Sequence, residues 1–152
     1  LIRAITGAVA PSQGTVRVLA DHALLDQSVS LLNANETIRD NFRRLNPQAD
    51  DNAGRAALAR FMFRADAALQ LVSTLSGGQL LRAGFACVLG GTRPPSLLIL
   101  DEPTNHLDLD SIAMVEQGLA AYDGALLVIS HDEPFFRAIG ITRRLELPMR
   151  GN

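Results

Sequence analysis

Short runs of consecutive apolar residues, bounded by proline, glycine or charged residues, divide the chain into candidate strands. The two clearest runs, Leu97–Leu100 and Ala125–Ser130, have the aliphatic character of parallel strands buried on both faces. Ala23–Gln27 predicts a strand that ends in a polar residue, Thr15–Val18 predicts a short strand, and Arg143–Leu147 predicts the last one. Strands of this kind between helical stretches predict an α/β fold with a mostly parallel sheet.

Apolar residues recur every three or four positions in five other stretches, which predicts helices with one buried face. The stretches are Leu1–Gly7, Glu36–Phe42, Ala49–Phe63, the residues from Gly78 to Leu89, and the residues that follow Asp110 and Ser111. Gly7 suits the end of the first helix, because glycine readily adopts the conformation that closes a helix. Asp110 and Ser111 are residue types that cap a helix start, so we expect them to begin the last of these five stretches.

Length and composition indicate one globular domain with one core, since the chain has 152 residues and 47% of them are hydrophobic. The formal net charge of −2 gives no global basic field that would favour binding to nucleic acid. All 14 basic residues are arginine, so the chain contains no lysine.

The single cysteine, Cys87, excludes an internal disulfide and fits a reducing compartment. It stands in an apolar helical pattern, which predicts a small buried side chain rather than a nucleophile. No run approaches the roughly 18 apolar residues of a membrane span, so we expect no membrane segment and a soluble, cytoplasmic protein. The chain begins with Leu1 rather than methionine, and we therefore expect it to be truncated at its amino terminus.

A Ser-Gly-Gly turn at Leu75–Gln79 opens the fourth helical stretch and is a candidate anion site. Ser76 is a favoured cap residue, while Gly77 and Gly78 let backbone N–H groups approach a ligand with no Cβ atom in the way. Free amides and the helix dipole at such a helix start attract a phosphate. The alternative is an ordinary loop element, because Ser-Gly-Gly turns are common.

Two adjacent carboxylates, Asp101 and Glu102, follow the strand Leu97–Leu100. In open α/β sheets, ligands bind beyond the carboxyl ends of the strands, which is where both side chains are expected. Asp101 lies nearer the strand and suits Mg²⁺ binding, usually through water, and Glu102 would polarise an attacking water. The alternative is an acidic turn that simply ends a strand.

Together and in this order, the two motifs resemble those of the nucleotide-binding domains of ATP-binding-cassette proteins. Leu75–Gln79 matches the family's signature motif letter for letter, and Leu97–Glu102 matches its Walker B motif. The continuation Pro103–Asp108 is similar to the ABC-F subfamily, whose members are soluble ATPases with two cassettes. The resemblance covers about residues 1 to 147 and implies a P-loop NTPase-like fold with a helical subdomain.

The resemblance also implies roles for residues at strand ends. Gln27 aligns with the Q-loop glutamine, which contacts Mg²⁺ and the attacking water and joins the core to the helical subdomain. His131 aligns with the switch histidine, which hydrogen-bonds the γ-phosphate and the glutamate at position 102. Asp108 aligns with the D-loop, which crosses to the opposite cassette, and His106 is expected to shape the turn. The implied catalytic residues are Glu102, His131 and Gln27.

In the family, two cassettes pair head to tail, and each ATP lies between one cassette's phosphate loop and the other's signature turn. The resemblance therefore implies ATP and Mg²⁺ as cofactors, with Mg²⁺ held by Asp101 and Gln27. Ser76, Gly77, Gly78 and Gln79, together with Asp108, would contact the ATP of the opposite cassette.

One part of the family's pattern is absent from the chain. The phosphate loop and its lysine would lie immediately before residue 1, so residues 1–152 would form a partial nucleotide-binding domain, with the helical subdomain at about residues 36–92. We predict that this chain alone binds ATP weakly and does not hydrolyse it. Leu80 and Leu81 also depart from the pattern, because ABC-F members tend to carry polar or basic residues there.

The resemblance implies a second cassette as partner and, through the ABC-F subfamily, an action on the ribosome and translation. Two alternatives stay open, namely the ATP-binding subunit of a transporter and a non-catalytic truncated remnant. Asn105 and His106 argue against the transporter, because transporter cassettes usually carry other residues at these positions.

Overall fold

A three-stranded parallel sheet forms the centre of this computed structural model, which describes residues 1–105 and 107–146. The strands are β1 (His22–Leu25), β2 (Leu97–Asp101) and β3 (Ala125–Ile129), and their order in the sheet is β1-β2-β3. β2 is the middle strand, and its three central side chains are fully buried, as the aliphatic run predicts.

The predictions for these three strands are confirmed, although β1 and β3 end one or two residues earlier than expected. The register pairs Leu25 with Leu100, and it pairs Asp101 with Ile129. Because all three strands are parallel, their carboxyl ends lie along one edge of the sheet, which we call the carboxyl edge.

The predictions of two further strands were wrong over the described residues. Thr15–Val18 and residues 143–146 form no strand, and Leu147 lies outside the described residues, as do Pro148–Asn152. An extended segment needs a neighbouring strand for its backbone hydrogen bonds, and no described strand pairs with either segment. Val16 is 43% exposed, so the first of these segments also leaves much of its apolar surface in solvent.

The described residues form six α-helices around the sheet. They are α1 (Ile2–Ile5), α2 (Ile38–Leu45), α3 (Asp51–Arg60), α4 (Gly77–Leu89), α5 (Leu109–Ala120) and α6 (Glu133–Ala138). Two short 3-10 helices, Ala65–Leu69 and Val72–Thr74, connect α3 to α4. No helix among the described residues has the length and apolar character that a membrane crossing requires.

Capping side chains and backbone conformation set the ends of these helices. α2 begins after Thr37, whose hydroxyl accepts the amide of Asp40 at 3.1 Å. α3 begins after Asp50, whose carboxylate accepts a backbone amide at 2.7 Å. α3 was predicted to extend to Phe63 but ends at Arg60. Met62 has a φ of +68°, in the left-handed region that terminates helices.

The start of α5 corrects another prediction. Asp108 is the cap, because its carboxylate accepts the amide of Ser111 at 2.7 Å. Asp110 lies in the first turn, where its charge still favours the helix dipole, and Ser111 is buried within the helix.

α4 lies at the centre of the core, where it contacts α2, α3, α5 and β1. Its side chains Phe85, Ala86 and Cys87 are buried. Burial raises the pKa of the Cys87 thiol to about 12, which keeps it protonated and unreactive. The prediction of a small buried side chain at this position is confirmed.

Candidate functional site

Four of the predicted site residues lie at or just beyond the ends of strands, along the carboxyl edge. Asp101 ends β2 and Glu102 comes next, while Gln27 lies two residues beyond β1 and His131 two residues beyond β3. The parallel register groups them, because it places the ends of neighbouring strands side by side. Asp101 and Glu102 are partly buried, whereas Gln27 and His131 are exposed.

Glu102 and His131 are in direct contact. Nε2 of His131 lies 3.3 Å from Oε1 of Glu102, a separation at which the imidazole can donate a hydrogen bond to the carboxylate. The side chain of Glu102 is 14% exposed, while that of His131 is 96% exposed. The carboxylate is therefore largely shielded from solvent, and its histidine partner remains accessible to a ligand.

Glu102 also has an unusual backbone conformation. Its φ of +50° lies in the left-handed region, which typically costs a residue other than glycine about 1–3 kcal/mol. Its amide donates to the carbonyl of Ile129 at 2.8 Å, which ties the strained residue to the end of β3. Strain held in place by a sheet in this way is common at functional sites.

The residues after Glu102 form a tight turn that leads to α5. The amide of Asn105 donates to the carbonyl of Glu102 at 3.2 Å, and the amide of Leu107 donates to the carbonyl of Thr104 at 3.3 Å. Pro103 is buried beneath the turn. His106 lies outside the described residues, so its expected role in the turn stays a prediction.

The Ser76–Gln79 turn, which we call the signature turn, caps α4 with a reciprocal pair of hydrogen bonds. The amide of Gln79 donates to Oγ of Ser76 at 3.3 Å, and the amide of Ser76 donates to Oε1 of Gln79 at 2.9 Å. Both polar side chains are therefore engaged within the turn. The amides of Gly77 and Gly78 have no intrahelical acceptor, because they belong to the first turn of a helix.

The two glycines of the signature turn have different surroundings. A Cβ atom on Gly77 would meet nothing within 4 Å, whereas one on Gly78 would lie 2.6 Å from Oγ of Ser111 and 3.7 Å from Leu107. Gly77 thus leaves the approach to the helix start open. Gly78 allows α4 to pack closely against the start of α5, a role that the sequence reasoning missed.

Asp108, the predicted D-loop residue, is exposed and engaged in the cap of α5. The backbone hydrogen bond from Ser111 lowers the pKa of the Asp108 carboxyl, and the positive charge of Arg82 acts in the same direction. The carboxylate is therefore ionised at neutral pH. Asp108 lies close to the signature turn in space, because Ser111 contacts both Asp108 and Gly78.

Asp26 is a further residue of this edge that the sequence reasoning missed. Its carboxylate accepts hydrogen bonds from Oγ of Ser28 at 3.1 Å, from the amide of Ser30 at 2.9 Å and from Oγ of Ser30 at 2.8 Å. These bonds close the turn that carries Gln27. An aspartate followed by serines two and four positions on was the available signal, since such side chains hydrogen-bond nearby backbone.

The donors at the carboxyl edge fit Mg²⁺. Asp101 and Gln27 offer oxygen atoms, which are the ligands that Mg²⁺ prefers. Over residues 1–105 and 107–146, no group of three or more histidine, cysteine, aspartate or glutamate side chains could hold a metal ion by itself. Mg²⁺ bound to nucleotide commonly takes only one or two protein ligands beside water and phosphate, so a sparse donor set suits it.

A cavity of about 800 Å³ opens at the opposite edge of the sheet. Ser96 and Ala125, which precede or begin β2 and β3, line it together with Phe61 and Tyr122. None of the predicted site residues lines this cavity. Ligands of open α/β sheets bind at the carboxyl ends of the strands, so we place the candidate site at the carboxyl edge.

Comparison with known proteins gives the family to which the chain belongs. The sequence model of a family described as "ABC transporter" matches residues 1–105. The chain is 34% identical over 143 residues to the ATP-binding protein Uup of Buchnera aphidicola, which covers 90% of this chain and 24% of that protein. It is 32% identical over 152 residues to the ABC transporter F family member 5 of Arabidopsis thaliana, which covers 97% of this chain and 21% of that protein.

A solved structure, the complex of the archaeal ribosomal stalk protein aP1 and the archaeal ribosome recycling factor aABCE1, is similar in fold. The TM-score is 0.72 at 20% identity, and the match covers 91% of this chain and 27% of that chain. This chain thus spans about a quarter of the length of the curated relatives it matches. The predicted α/β fold class and the predicted likeness to ABC-F proteins are confirmed, and the chain belongs to the ABC transporter family, as part of an ATP-binding cassette.

Proposed function

We propose that this chain is part of an ABC-F type ATPase and that it binds and hydrolyses ATP together with a second cassette. The contact between Glu102 and His131, beside Asp101, is the observation that carries the proposal. A shielded carboxylate with an accessible imidazole partner, at the edge where α/β sheets bind nucleotides, suits the orientation of a water toward a phosphate.

In this proposal, Glu102 accepts a hydrogen bond from the attacking water and orients it toward the γ-phosphate. His131 holds the Glu102 carboxylate through Nε2 and, being exposed, contacts the γ-phosphate when ATP is bound. Asp101 and Gln27 would hold Mg²⁺, and the bound ion would offset the negative charge of the phosphates. Phosphoryl transfer of this type depends mainly on positioning and on charge stabilisation, which these residues provide.

The signature turn serves the other nucleotide, held by the partner cassette. The amides of Gly77 and Gly78 lie at the positive end of the helix dipole and bind the γ-phosphate of that ATP. Ser76 and Gln79 keep the helix start closed through their reciprocal hydrogen bonds and add polar contacts at its rim. Asp108 follows at the same interface.

The wider assignment also belongs to this proposal. Residues 36–92, which contain α2, α3 and α4, form a helical subdomain inserted in the α/β core of a partial domain that spans residues 1–152. The protein acts in the cytoplasm, and its partners are a second cassette and the ribosome. A Glu102→Gln form that retains ATP is expected to sediment with ribosomes; recovery with membranes alone would favour the transporter alternative.

The chain by itself is proposed to be inactive. It contains no lysine, so it cannot supply the ammonium group that neutralises the β- and γ-phosphates in a phosphate loop. Titration of the 152-residue chain with MgATP is expected to give weak binding and no release of phosphate. Turnover that depends on Mg²⁺ and disappears in Glu102→Gln would contradict this part of the proposal.

The test of the catalytic assignment uses the protein expressed with its native flanking sequence. Glu102→Gln is expected to lower turnover by at least about 100-fold and to leave ATP binding intact, because the neutral amide polarises the water less than the carboxylate does and cannot take a proton from it. Glu116→Gln makes the same chemical change on α5, away from the edge, and is expected to keep normal turnover. Equal rates for both variants would refute the role of Glu102.

A further inference from the structure

The turn that carries Gln27, residues 26–30, is held in one shape from within. The carboxylate of Asp26 accepts three hydrogen bonds from Ser28 and Ser30, and the carbonyl of Asp26 accepts the amide of Val29 at 3.0 Å. Gln27 itself is exposed between these bonded residues. The position of its side chain therefore follows the position of the whole turn, which we call the Gln27 turn.

Val29 occupies a backbone conformation that valine rarely adopts. Its φ is +46°, although a β-branched side chain is strongly disfavoured in the left-handed region. The side chain is nevertheless only 1% exposed, so the strained conformation turns it into the core instead of toward solvent. Strain at a buried residue persists only where the surrounding packing holds it.

The packing that holds Val29 comes from α4. A Cβ atom on Gly84 would lie 2.6 Å from Cγ1 of Val29 and 2.9 Å from Cδ2 of Leu25, the last residue of β1. Glycine in a helix interior is unfavourable in itself, but here it leaves the space that Val29 fills. Gly84 of α4 therefore lies against both the Gln27 turn and the end of β1.

The same helix carries the signature turn at its start. Gly84 stands seven residues after Gly77, which is two helical turns or about 10 Å along α4. The hydrogen-bonded helix between the two glycines transmits a displacement at Gly84 to its first turn. A change in the Gln27 turn therefore has a continuous route to the signature turn, through Val29 and Gly84.

We propose that Val29 and Gly84 are positioning residues that couple the Gln27 turn to the signature turn. The inference rests on the proposed function in one respect. Gln27 is assigned there to one ATP and the signature turn to the other, so the Val29–Gly84 contact links the two nucleotide sites across one cassette. The packing of Val29 against Gly84 is present without bound nucleotide, so the coupling can be tested on the protein alone.

Hydrogen exchange at the signature turn tests the coupling without nucleotide. The amides of Ser76, Gln79 and Leu80 are all hydrogen-bonded there, at 2.9, 3.3 and 2.8 Å. Val29→Ala is expected to speed their exchange about tenfold, with the amides of β2 changed much less. The matched control is Val128→Ala on β3, which is expected to leave the ratio of signature-turn to β2 exchange as in the wild type.

A second pair of variants separates coupling from a general loss of stability. Gly84→Ala places a methyl group against Val29 and Leu25 and is expected to speed exchange at the signature turn. Val29→Ala/Gly84→Ala removes the clash with Val29 and leaves only Cδ2 of Leu25, the far end of a flexible side chain, within 3 Å, so it is expected to return exchange to within about threefold of the wild type. The proposal is overturned if the double variant exchanges as fast as Gly84→Ala. It is also overturned if Val29→Ala and Val128→Ala affect the signature turn equally.

Repeating the measurement with and without MgATP, on the protein with its native flanking sequence, distinguishes this inference from the proposed function. If MgATP slows exchange at neither turn while Val29→Ala still speeds the signature turn, the nucleotide assignment fails and the coupling stands. If MgATP slows exchange at both turns and Val29→Ala leaves the signature turn unchanged, the coupling fails and the nucleotide assignment stands. Slowing at both turns in the wild type, together with faster exchange at the signature turn in nucleotide-free Val29→Ala, supports both.

Discussion

The signature turn and the carboxyl edge are built in opposite ways. At the signature turn, Ser76 and Gln79 satisfy each other's hydrogen-bonding groups within one helical turn. At the carboxyl edge, Glu102 meets His131 only because two strands lie side by side, and its backbone is held at a φ of +50°. One region is stabilised by its own short sequence, and the other depends on the sheet beneath it.

This difference shows how stability and chemistry are divided between the two regions. The signature turn offers a backbone surface, the amides of a helix start, which needs no strained residue. The carboxyl edge presents side chains whose relative positions matter for chemistry, and there the chain keeps an unfavourable conformation at Glu102. We therefore expect substitutions at the turn to act through packing and those at the edge to trade stability against activity.

The largest effect on stability is expected from Gly78→Ala in the signature turn. The new methyl group would crowd Oγ of Ser111 at the start of α5, and overpacking of this kind typically costs about 1–3 kcal/mol. The free energy of unfolding, measured with urea, checks this expectation. The matched control is Gly77→Ala, whose methyl group meets nothing within 4 Å and is expected to be neutral or to stabilise by up to about 1 kcal/mol.

Equal losses for the two alanine variants would mean that the turn is not held against α5 through Gly78. In that case the close approach of Gly78 to Ser111 would contribute no more to stability than the open position of Gly77 does. A loss confined to Gly78→Ala would show that the second glycine of the motif serves the fold, whatever the first does for a ligand.

A smaller effect of opposite sign is expected at the carboxyl edge. Glu102→Gly is expected to be more stable than Glu102→Ala by about 1 kcal/mol, because both lose the side chain and only glycine tolerates a φ of +50° without strain. The difference in unfolding free energy between these two variants measures the cost of the left-handed backbone conformation at position 102. If alanine proves as stable as glycine at this position, Glu102 stores no strain and the contrast with the signature turn is lost.

The contrast also explains which features could be predicted from the sequence. The cap of α4 was predictable, since serine at the cap and glutamine three residues later form a known local pattern. The strands β2 and β3 were predictable from uninterrupted aliphatic runs. These signals are contained in a few neighbouring residues, so no knowledge of the rest of the fold was needed.

The features that no local sequence pattern predicts depend on residues distant in the chain. Thr15–Val18 has the composition of a strand, but whether a strand forms depends on a partner, and no described strand pairs with it. The contact of Glu102 with His131 was expected only through the resemblance to ATP-binding cassettes, because the order of strands in a sheet has no local signature. A glycine inside a helical pattern indicates by itself only a lower helix propensity, so the packing role of Gly84 depends on Val29, which lies against it in the fold.

The smallest expected effect concerns the Gln27 turn and its dependence on pH. Burial acts to raise the pKa of Asp26, but the hydrogen bonds from Ser30 and Ser28 outweigh it, and the pKa lies below the ordinary value of 3.8. A carboxyl whose pKa is lowered by folding contributes stability above its unfolded pKa, and that contribution disappears as the pH falls through the folded pKa.

Asp26→Asn resembles the protonated acid, so the stability advantage of the wild type over this variant is expected to be present at neutral pH and to shrink below about pH 4. Urea denaturation of both proteins across this range measures the difference, in which the titration of the other carboxylates cancels. Asp110→Asn, at an exposed carboxylate in the first turn of α5, provides the control for a general loss of charge. If the advantage over Asp26→Asn is the same at pH 7 and in acid, the ionised carboxylate does not hold the Gln27 turn, and the turn then depends on the sheet beneath it, as Glu102 does.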